Sequence, residues 1–177
     1  VNGDEALVKE MASRAEVKAI WHNQYHQIID DSMRESTYLA PNGRGIEWSV
    51  QQINADQVWN EFGVTGQGIV VMDADTGVDW DHPALKNQYR GWNGINADHN
   101  YNWFDPTGTY PNVPGDGHGH GTHTTGSMVG DDGGNNQIGV APGAKWIAAK
   151  NMDDYGGGED ADFHAAFQWA LAPTDLS

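Results

Sequence analysis

Three histidines lie close together in the glycine-rich stretch "GDGHGHGTHTTG" (115–126), and they are His118, His120 and His123. Imidazole titrates near neutral pH and binds Zn²⁺, so the stretch carries side chains suited to proton transfer or to a metal site. The H-x-H-x-x-H spacing is compatible with zinc. However, Thr122 stands where such a site carries an aspartate, and His164 is the only later histidine. Each of these histidines could therefore be a metal ligand, a catalytic base or an exposed loop residue, and the spacing alone leaves all three roles open.

A candidate partner for a catalytic histidine is Asp75, which follows the apolar run "IVVMDA" (69–74) and begins "DTG" (75–77). Such a run predicts a strand buried on both faces, and open α/β sheets carry their working residues at the carboxyl ends of strands. A carboxylate there can accept a hydrogen bond from imidazole Nδ1–H and stabilise the imidazolium. The alternative is an ordinary turn aspartate.

The elements that would position these residues alternate between strand and helix. After a short helix at 54–63 and the strand at 69–74, a second buried strand is predicted within "IGVAPGAKWIAAKN" (138–151). An amphipathic helix is predicted at 160–172, with Phe163, Phe167 and Leu171 on one side. This alternation predicts an α/β fold with a parallel sheet.

The first 45 residues have a different pattern. Residues 5–15 have helical spacing of apolar side chains, and residues 16–22 alternate apolar and polar side chains as a strand does. Residues 30–45 lose this periodicity and gather Pro41 and two glycines, which predicts an exposed linker and a domain boundary.

Composition excludes several classes of partner. Nine Lys and Arg stand against 25 Asp and Glu, for a net charge of −16, so nucleic acid and anionic membranes would be repelled. The chain has no cysteine and therefore no disulfides, thiolate zinc sites or thiol nucleophiles. No apolar run approaches the ~20 residues of a membrane-spanning helix. A content of 38% hydrophobic residues, with eight tryptophans, predicts a folded core.

The segment "HGTHTTG" (120–126) resembles the histidine motif H-G-T-H-x-x-G of the subtilisin-like serine peptidases, the subtilase family. "GQGIVVMDADTGVDWDHPAL" (66–85) resembles the aspartate region of that family, and its bacillopeptidase F-like branch is the most similar. The resemblance implies that Asp75 and His120 are the acid and base of an Asp-His-Ser triad. It implies that His123 is a buried structural histidine, whereas His118 is interpreted as an exposed bystander.

The resemblance covers residues 46–177 and implies a subtilisin-like three-layer fold with a mostly parallel sheet. It assigns Gly156, Gly157 and Gly158 to an exposed strand edge that binds the backbone of protein and peptide substrates, without a required cofactor. Residues 1–40 resemble the end of an inhibitory propeptide, a small α+β unit, with maturation cleavage expected between residues 36 and 48. The implied protein is a secreted serine endopeptidase made as a zymogen and inhibited by its own propeptide.

Two departures from the family pattern qualify this expectation. The nucleophile motif G-T-S-M-A-x-P and the oxyanion-hole asparagine do not occur, so the sequence is expected to be the N-terminal half of a peptidase, inactive without its C-terminal half. Ala84 and Gly133 occupy positions that in many members supply oxygen ligands to a structural Ca²⁺, so that usual site is expected to be lost and no metal ligands are assigned. A histidine-based metal hydrolase and a non-catalytic pseudopeptidase are the alternatives.

Overall fold

The computed structural model describes residues 3–28, 45–134 and 136–176. Within these residues it contains five α-helices and seven β-strands. The helices are α1 (Glu5–Ala12), α2 (Trp48–Gln52), α3 (Ala55–Phe62), α4 (His120–Val129) and α5 (Asp160–Leu171). The strands are β1 (Tyr25–Gln27), β2 (Gly45–Ile46), β3 (Val70–Asp75), β4 (Trp103–Phe104), β5 (Asn136–Gln137), β6 (Lys145–Lys150) and β7 (Gly157–Glu159).

The central sheet has the order β3-β6-β4, and all of its strands are parallel. Strands β3 and β6 pair over six residues, from Val70 opposite Lys145 to Asp75 opposite Lys150. Both are short apolar runs, as expected for strands that are covered on both faces. The α/β fold class with a mostly parallel sheet is therefore confirmed, and the two predicted strands lie within a few residues of their expected positions.

The two faces of β6 contribute to different parts of the core. Trp146 and Ala148 belong to a cluster that includes Val129 of α4, whereas Ile147 and Ala149 pack with Ala166 and Trp169 of α5. This alternation follows from the two-residue period of a strand. The sheet thus lies between α4 and α5, and the carboxyl ends of its strands stay accessible to the loops that follow them.

The predicted apolar face of α5 is wrong. Phe167 is 60% exposed and Leu171 is 89% exposed, whereas Ala166 and Trp169 are buried. On a helix, residues three apart share a face as well as residues four apart. The stripe through Ala166 and Trp169 is the one that packs on the sheet.

The N-terminal strand also differs from the prediction. Residues 17–24 are irregular, and the strand is β1 at Tyr25–Gln27, which pairs antiparallel with β7. An alternating pattern makes a strand only where a free edge accepts its backbone, and β7 provides that edge further along the chain. The predicted linker and cleavage region fall mostly within residues 29–44, outside the described residues. No helix in the described ranges combines the length and hydropathy that a membrane span needs.

Candidate active site

Asp75 is the last residue of β3, and its side chain is only 9% exposed. Its backbone carbonyl accepts hydrogen bonds from the backbone N–H groups of Asn151 and Met152, just beyond the end of β6. The carboxylate therefore stands on a strand whose end is fixed by its neighbour. Such a support gives a catalytic group little freedom to move.

His120 is the first residue of α4, and its Nδ1 lies 2.8 Å from Oδ1 and 2.9 Å from Oδ2 of Asp75. The backbone N–H of Thr76 also donates to Oδ1 of Asp75, at 2.6 Å. Because an ionised carboxylate only accepts, this contact places the ring proton on Nδ1 and leaves Nε2 as the proton acceptor. The His120 side chain is 42% exposed, so a reactant can approach Nε2.

A glycine lets the strand and the helix approach each other this closely. A Cβ on Gly121 would overlap the carbonyl oxygen of Gly77 and would lie 3.1 Å from Cβ of Asp75. The backbone N–H of Gly121 instead donates to Oγ1 of Thr76, at 3.0 Å. The absence of a side chain at Gly121 is thus a condition for the contact between Asp75 and His120.

Asp116 organises the loop that leads into α4, and sequence reasoning missed it. Its carboxylate accepts hydrogen bonds from the backbone N–H groups of His118, Gly119 and Thr122 and from the hydroxyls of Thr76 and Thr122. Burial raises the pKa of Asp116, but these hydrogen bonds outweigh that effect and hold the pKa below its usual value. An aspartate among glycines directly before the histidine motif was the only signal in the sequence.

A second buried carboxyl, Asp73, lies two residues before Asp75 on β3. It accepts a hydrogen bond from the Thr125 hydroxyl at 3.0 Å and longer ones from Thr124, both on α4. Burial, together with the negative charge of Asp75, raises the pKa of Asp73 to about 7. Asp73 is therefore a buried carboxyl beside the catalytic candidates whose protonation depends on its surroundings.

Lys150 is fully buried at the end of β6 and ties two loops to the site. Its Nζ donates to the carbonyl oxygen of Thr76 at 2.5 Å and to Oδ1 of Asp154 at 2.7 Å. Asp154 also accepts from the hydroxyl of Tyr110 at 2.8 Å and from the backbone N–H of Gly117 at 3.3 Å. The loop after β6 is thereby joined to the loop before α4.

The other two histidines of the motif differ from their predicted roles. His123 is exposed and faces a surface hollow with Glu47 and His82, so its prediction as a buried structural histidine is wrong. His118 is half-buried, with its ring 6.2 Å from that of His120, and its Nδ1 is buried without a hydrogen-bond partner. The backbone turns at Gly119 with φ of 93°, which lets His118 fold back beside His120.

No three histidine, aspartate or glutamate side chains in the described ranges are arranged to hold a metal ion. His120 turns its Nδ1 to Asp75, and the rings of His118 and His123 face different surroundings. At the usual calcium positions of the resembling family, Ala84 and Gly133 offer no side-chain oxygen.

The three glycines of the predicted substrate edge lie in and just before β7. The edge is covered by the chain's own β1, with His26 opposite Gly158 and Gln27 opposite Gly157, and the N–H of Ile28 donates to the Gly156 carbonyl at 2.8 Å. Gly156, Gly157 and Gly158 are consequently buried here, not exposed as predicted. A Cβ on Gly156 would come within 3.0 Å of both Ile28 and the ring of His118, so β1 leads toward the histidines.

Comparison with known proteins gives a consistent family match. Residues 66–175 match the family model described as the subtilase family, Peptidase_S8. The chain is 41% identical to Bacillopeptidase F of Bacillus subtilis over 183 aligned residues, which covers 99% of this chain and 13% of that protein.

Two further relatives are more distant. The chain is 34% identical to an Intracellular serine protease of Paenibacillus polymyxa, over 62% of this chain and 31% of that protein. It is 29% identical to the Minor extracellular protease Vpr of Bacillus subtilis, over 93% of this chain and 20% of that protein. The chain thus spans less than a third of the length of each of these relatives.

Proposed function

Because the chain belongs to the subtilase family, we propose that it contributes Asp75 and His120 to the Asp-His-Ser triad of a serine endopeptidase. The observation that carries this proposal is the hydrogen bond from His120 Nδ1 to the buried carboxylate of Asp75. It joins the first residue of α4 to the last residue of the parallel strand β3.

In this proposal His120 acts as general base and then as general acid. Its Nε2 takes the proton of the serine hydroxyl as that oxygen attacks the scissile carbonyl, and it returns the proton to the leaving amine. Asp75 fixes the tautomer and stabilises the imidazolium in between. Because Thr76 N–H and the end of β6 hold Asp75, the pair needs little rearrangement during proton transfer.

We propose that these 177 residues by themselves do not hydrolyse peptides, because no serine among them lies in the nucleophile motif. Ser127 is on the same helix as His120, but its hydroxyl donates to the carbonyl of His123 within α4. The expected measurement is a rate equal to the blank. Burst release from an activated ester that a serine-directed inhibitor abolishes would contradict this expectation.

The proposed substrate site is the edge formed by Gly156, Gly157 and Gly158, where a peptide adds as an antiparallel strand. The pairing of β1 with β7 supports this, since an extended peptide already occupies that edge. In the same proposal the N-terminal segment is an inhibitory propeptide that blocks the site until it is removed. The substrates are proteins and peptides.

We further propose that the enzyme is secreted and made as a zymogen. The names of two relatives support secretion, since they describe extracellular proteases, whereas another relative is named as an intracellular protease. Detection of the active enzyme in the culture medium of the producing cells, with the cell fraction as control, tests this proposal.

The proposed catalytic roles are tested by substitution in the full-length protein. His120→Ala and Asp75→Asn are each expected to lower kcat by roughly 10³- to 10⁴-fold or more, because each removes a member of one proton-transfer unit. His123→Ala is the matched control, since it removes an exposed imidazole from the same helix. Labelling of the wild-type protein by a fluorophosphonate reports the activated serine.

Two outcomes would favour the alternatives. Zinc that remains bound after dialysis, together with activity that survives fluorophosphonate treatment, would favour a metal hydrolase. Absence of both labelling and hydrolysis in the full-length protein would favour a non-catalytic pseudopeptidase.

A further inference from the structure

The segment on β7 shows how side chains of a bound peptide meet the enzyme. Gln24 and Ile28 flank β1 and continue its backbone contacts, with Gln24 accepting from the N–H of Asp160 at 2.9 Å and Ile28 donating to Gly156. The segment is therefore held as an added strand over its whole length. Its side chains project from fixed register positions, because backbone pairing determines them.

The residue opposite Gly158 is His26, and its side chain contacts the carboxylate of Asp160. His26 Nε2 lies 2.7 Å from Oδ1 of Asp160, and the same carboxylate accepts from the backbone N–H of Gln24 at 3.1 Å. The backbone N–H of Gln24 and the ring of His26 hold the pKa of Asp160 below its usual value. Asp160 is therefore ionised at neutral pH and faces the side chain of this peptide residue.

The same position has an apolar wall. The ring of Phe163, one turn along α5, meets the His26 ring edge to face with centroids 6.1 Å apart. An aromatic face beside a carboxylate suits a side chain with an apolar stem and a cationic head. Lysine and arginine have this structure, and protonated histidine has it over a shorter reach.

The charge around the edge favours a cation as well. A hollow beside β1 and β7 is lined by Asp153, Glu159 and Asp162, with no lysine or arginine among its described lining residues. Glu159 accepts a hydrogen bond from the side-chain amide of Asn23, at 2.5 Å. A peptide with donors or positive charge is thus matched along this edge, and an acidic peptide is repelled.

We propose that Asp160 is a specificity-determining residue that selects substrates with a basic side chain at the position opposite Gly158. This inference rests on the proposed peptidase function and names the substrate class of the same site. Both partners are partly exposed, with side-chain exposures of 51% for His26 and 39% for Asp160. Solvent therefore limits the expected preference to roughly 3- to 10-fold in kcat/KM.

The test uses the full-length enzyme and peptides that differ at one residue, either lysine or its uncharged near-isostere norleucine. Each of the positions on the amino-terminal side of the cleaved bond is varied in turn, so the preferred position is measured and not assumed. Wild-type enzyme is expected to prefer lysine over norleucine at one position. This preference should be weaker in about 1 M salt, because salt screens the attraction between the lysine and Asp160. Asp160→Asn is expected to lose that preference.

Two variants separate selection from damage to the fold. Asp160→Lys is expected to reverse the preference at the same position toward glutamate, a gain that a misfolded variant cannot show. Glu61→Gln removes a negative charge from α3, outside this edge, and is expected to keep the lysine preference. A wild-type enzyme with no lysine preference, or a preference unchanged in Asp160→Asn, would overturn the inference while the peptidase function stands. Failure to cleave any peptide or to react with fluorophosphonate would overturn the proposed function itself.

Discussion

The carboxyl of Asp73 lies next to that of Asp75, and its titration affects the stability of the fold. Its pKa of about 7 in the folded protein exceeds its ordinary value of 3.8, because burial and the charge of Asp75 disfavour ionisation. Between these values the folded state holds a proton that the unfolded chain has lost. Stability therefore falls as the pH rises from about 4 to about 7, and it levels off above that range.

Asp73→Asn is expected to remove this dependence, because the amide stays neutral and can still accept from Thr125. The difference in free energy of unfolding between the variant and wild type is expected to change in favour of the variant by up to roughly 4 kcal/mol from about pH 4 to about pH 8. Urea unfolding at both pH values measures this. Glu61→Gln removes an exposed charge and serves as the control. The prediction would be contradicted if the free energy of unfolding changed with pH by the same amount in Asp73→Asn and in wild type.

Lys150 is the second residue whose burial has a direct consequence. Replacing it by methionine leaves the carboxylate of Asp154 and the carbonyl of Thr76 without their donor. Lys150→Met is expected to lower the free energy of unfolding by roughly 2 to 4 kcal/mol. Lys145→Met at the exposed start of the same strand should cost less than about 1 kcal/mol. Equal losses in the two variants would show that the buried contacts of Lys150 have no special weight.

At the scale of elements, the contact between β3 and α4 depends on a glycine. Gly121→Ala would force Cβ against the Gly77 carbonyl, which is backbone and cannot move aside cheaply. We expect a loss of about 3 kcal/mol or more in stability, and loss of the Asp75–His120 hydrogen bond. The low-field NMR signal of the His120 Nδ1 proton would report that bond.

Gly126→Ala is the matched control on the same helix, since a Cβ there meets nothing within 4 Å. Alanine has the higher helix propensity, so this variant should be neutral or more stable by up to about 1 kcal/mol. If the two variants behave alike, helix propensity and not close approach governs these positions.

At the scale of the whole molecule, the N-terminal segment and the substrate edge compete for one place. If β1 blocks the edge, active enzyme must lose it, so N-terminal sequencing of the active species is expected to begin between Ser36 and Trp48. The variant without the nucleophilic serine should stay uncut. An active enzyme that keeps Val17 to Trp21 covalently attached would contradict the propeptide proposal.

A synthetic peptide of residues 17–28 added to the mature enzyme is expected to inhibit it competitively, because it restores the pairing with β7. A peptide in which His26 is replaced by glutamate should inhibit less, since it meets Asp160 with like charge. Non-competitive inhibition would place the segment elsewhere on the mature enzyme, whereas equal competitive inhibition by both peptides would show that the contact of residue 26 with Asp160 contributes nothing to binding.

The sequence by itself determined the local and the motif-bound features of this protein. The apolar runs at 69–74 and 138–151 predicted the parallel strands β3 and β6, because a strand covered on both faces must be apolar on both. The motifs and the order of Asp75 and His120 predicted that their side chains meet, and Nδ1 of His120 lies 2.8 Å and 2.9 Å from the two carboxylate oxygens of Asp75. The resemblance of the two motifs to the subtilase family carried that prediction, since the residues are 45 positions apart in the sequence.

Only the tertiary structure decided which faces are buried and which distant groups meet. The apolar stripe through Phe167 is exposed because α5 packs through Ala166 and Trp169, a choice that depends on the sheet beneath it. His26 meets Asp160 across 134 residues of sequence, and no local pattern signals such a contact. Long-range pairing and burial are properties of the assembled core, so Asp73, Lys150 and Asp160 acquire their environments only when the chain has folded.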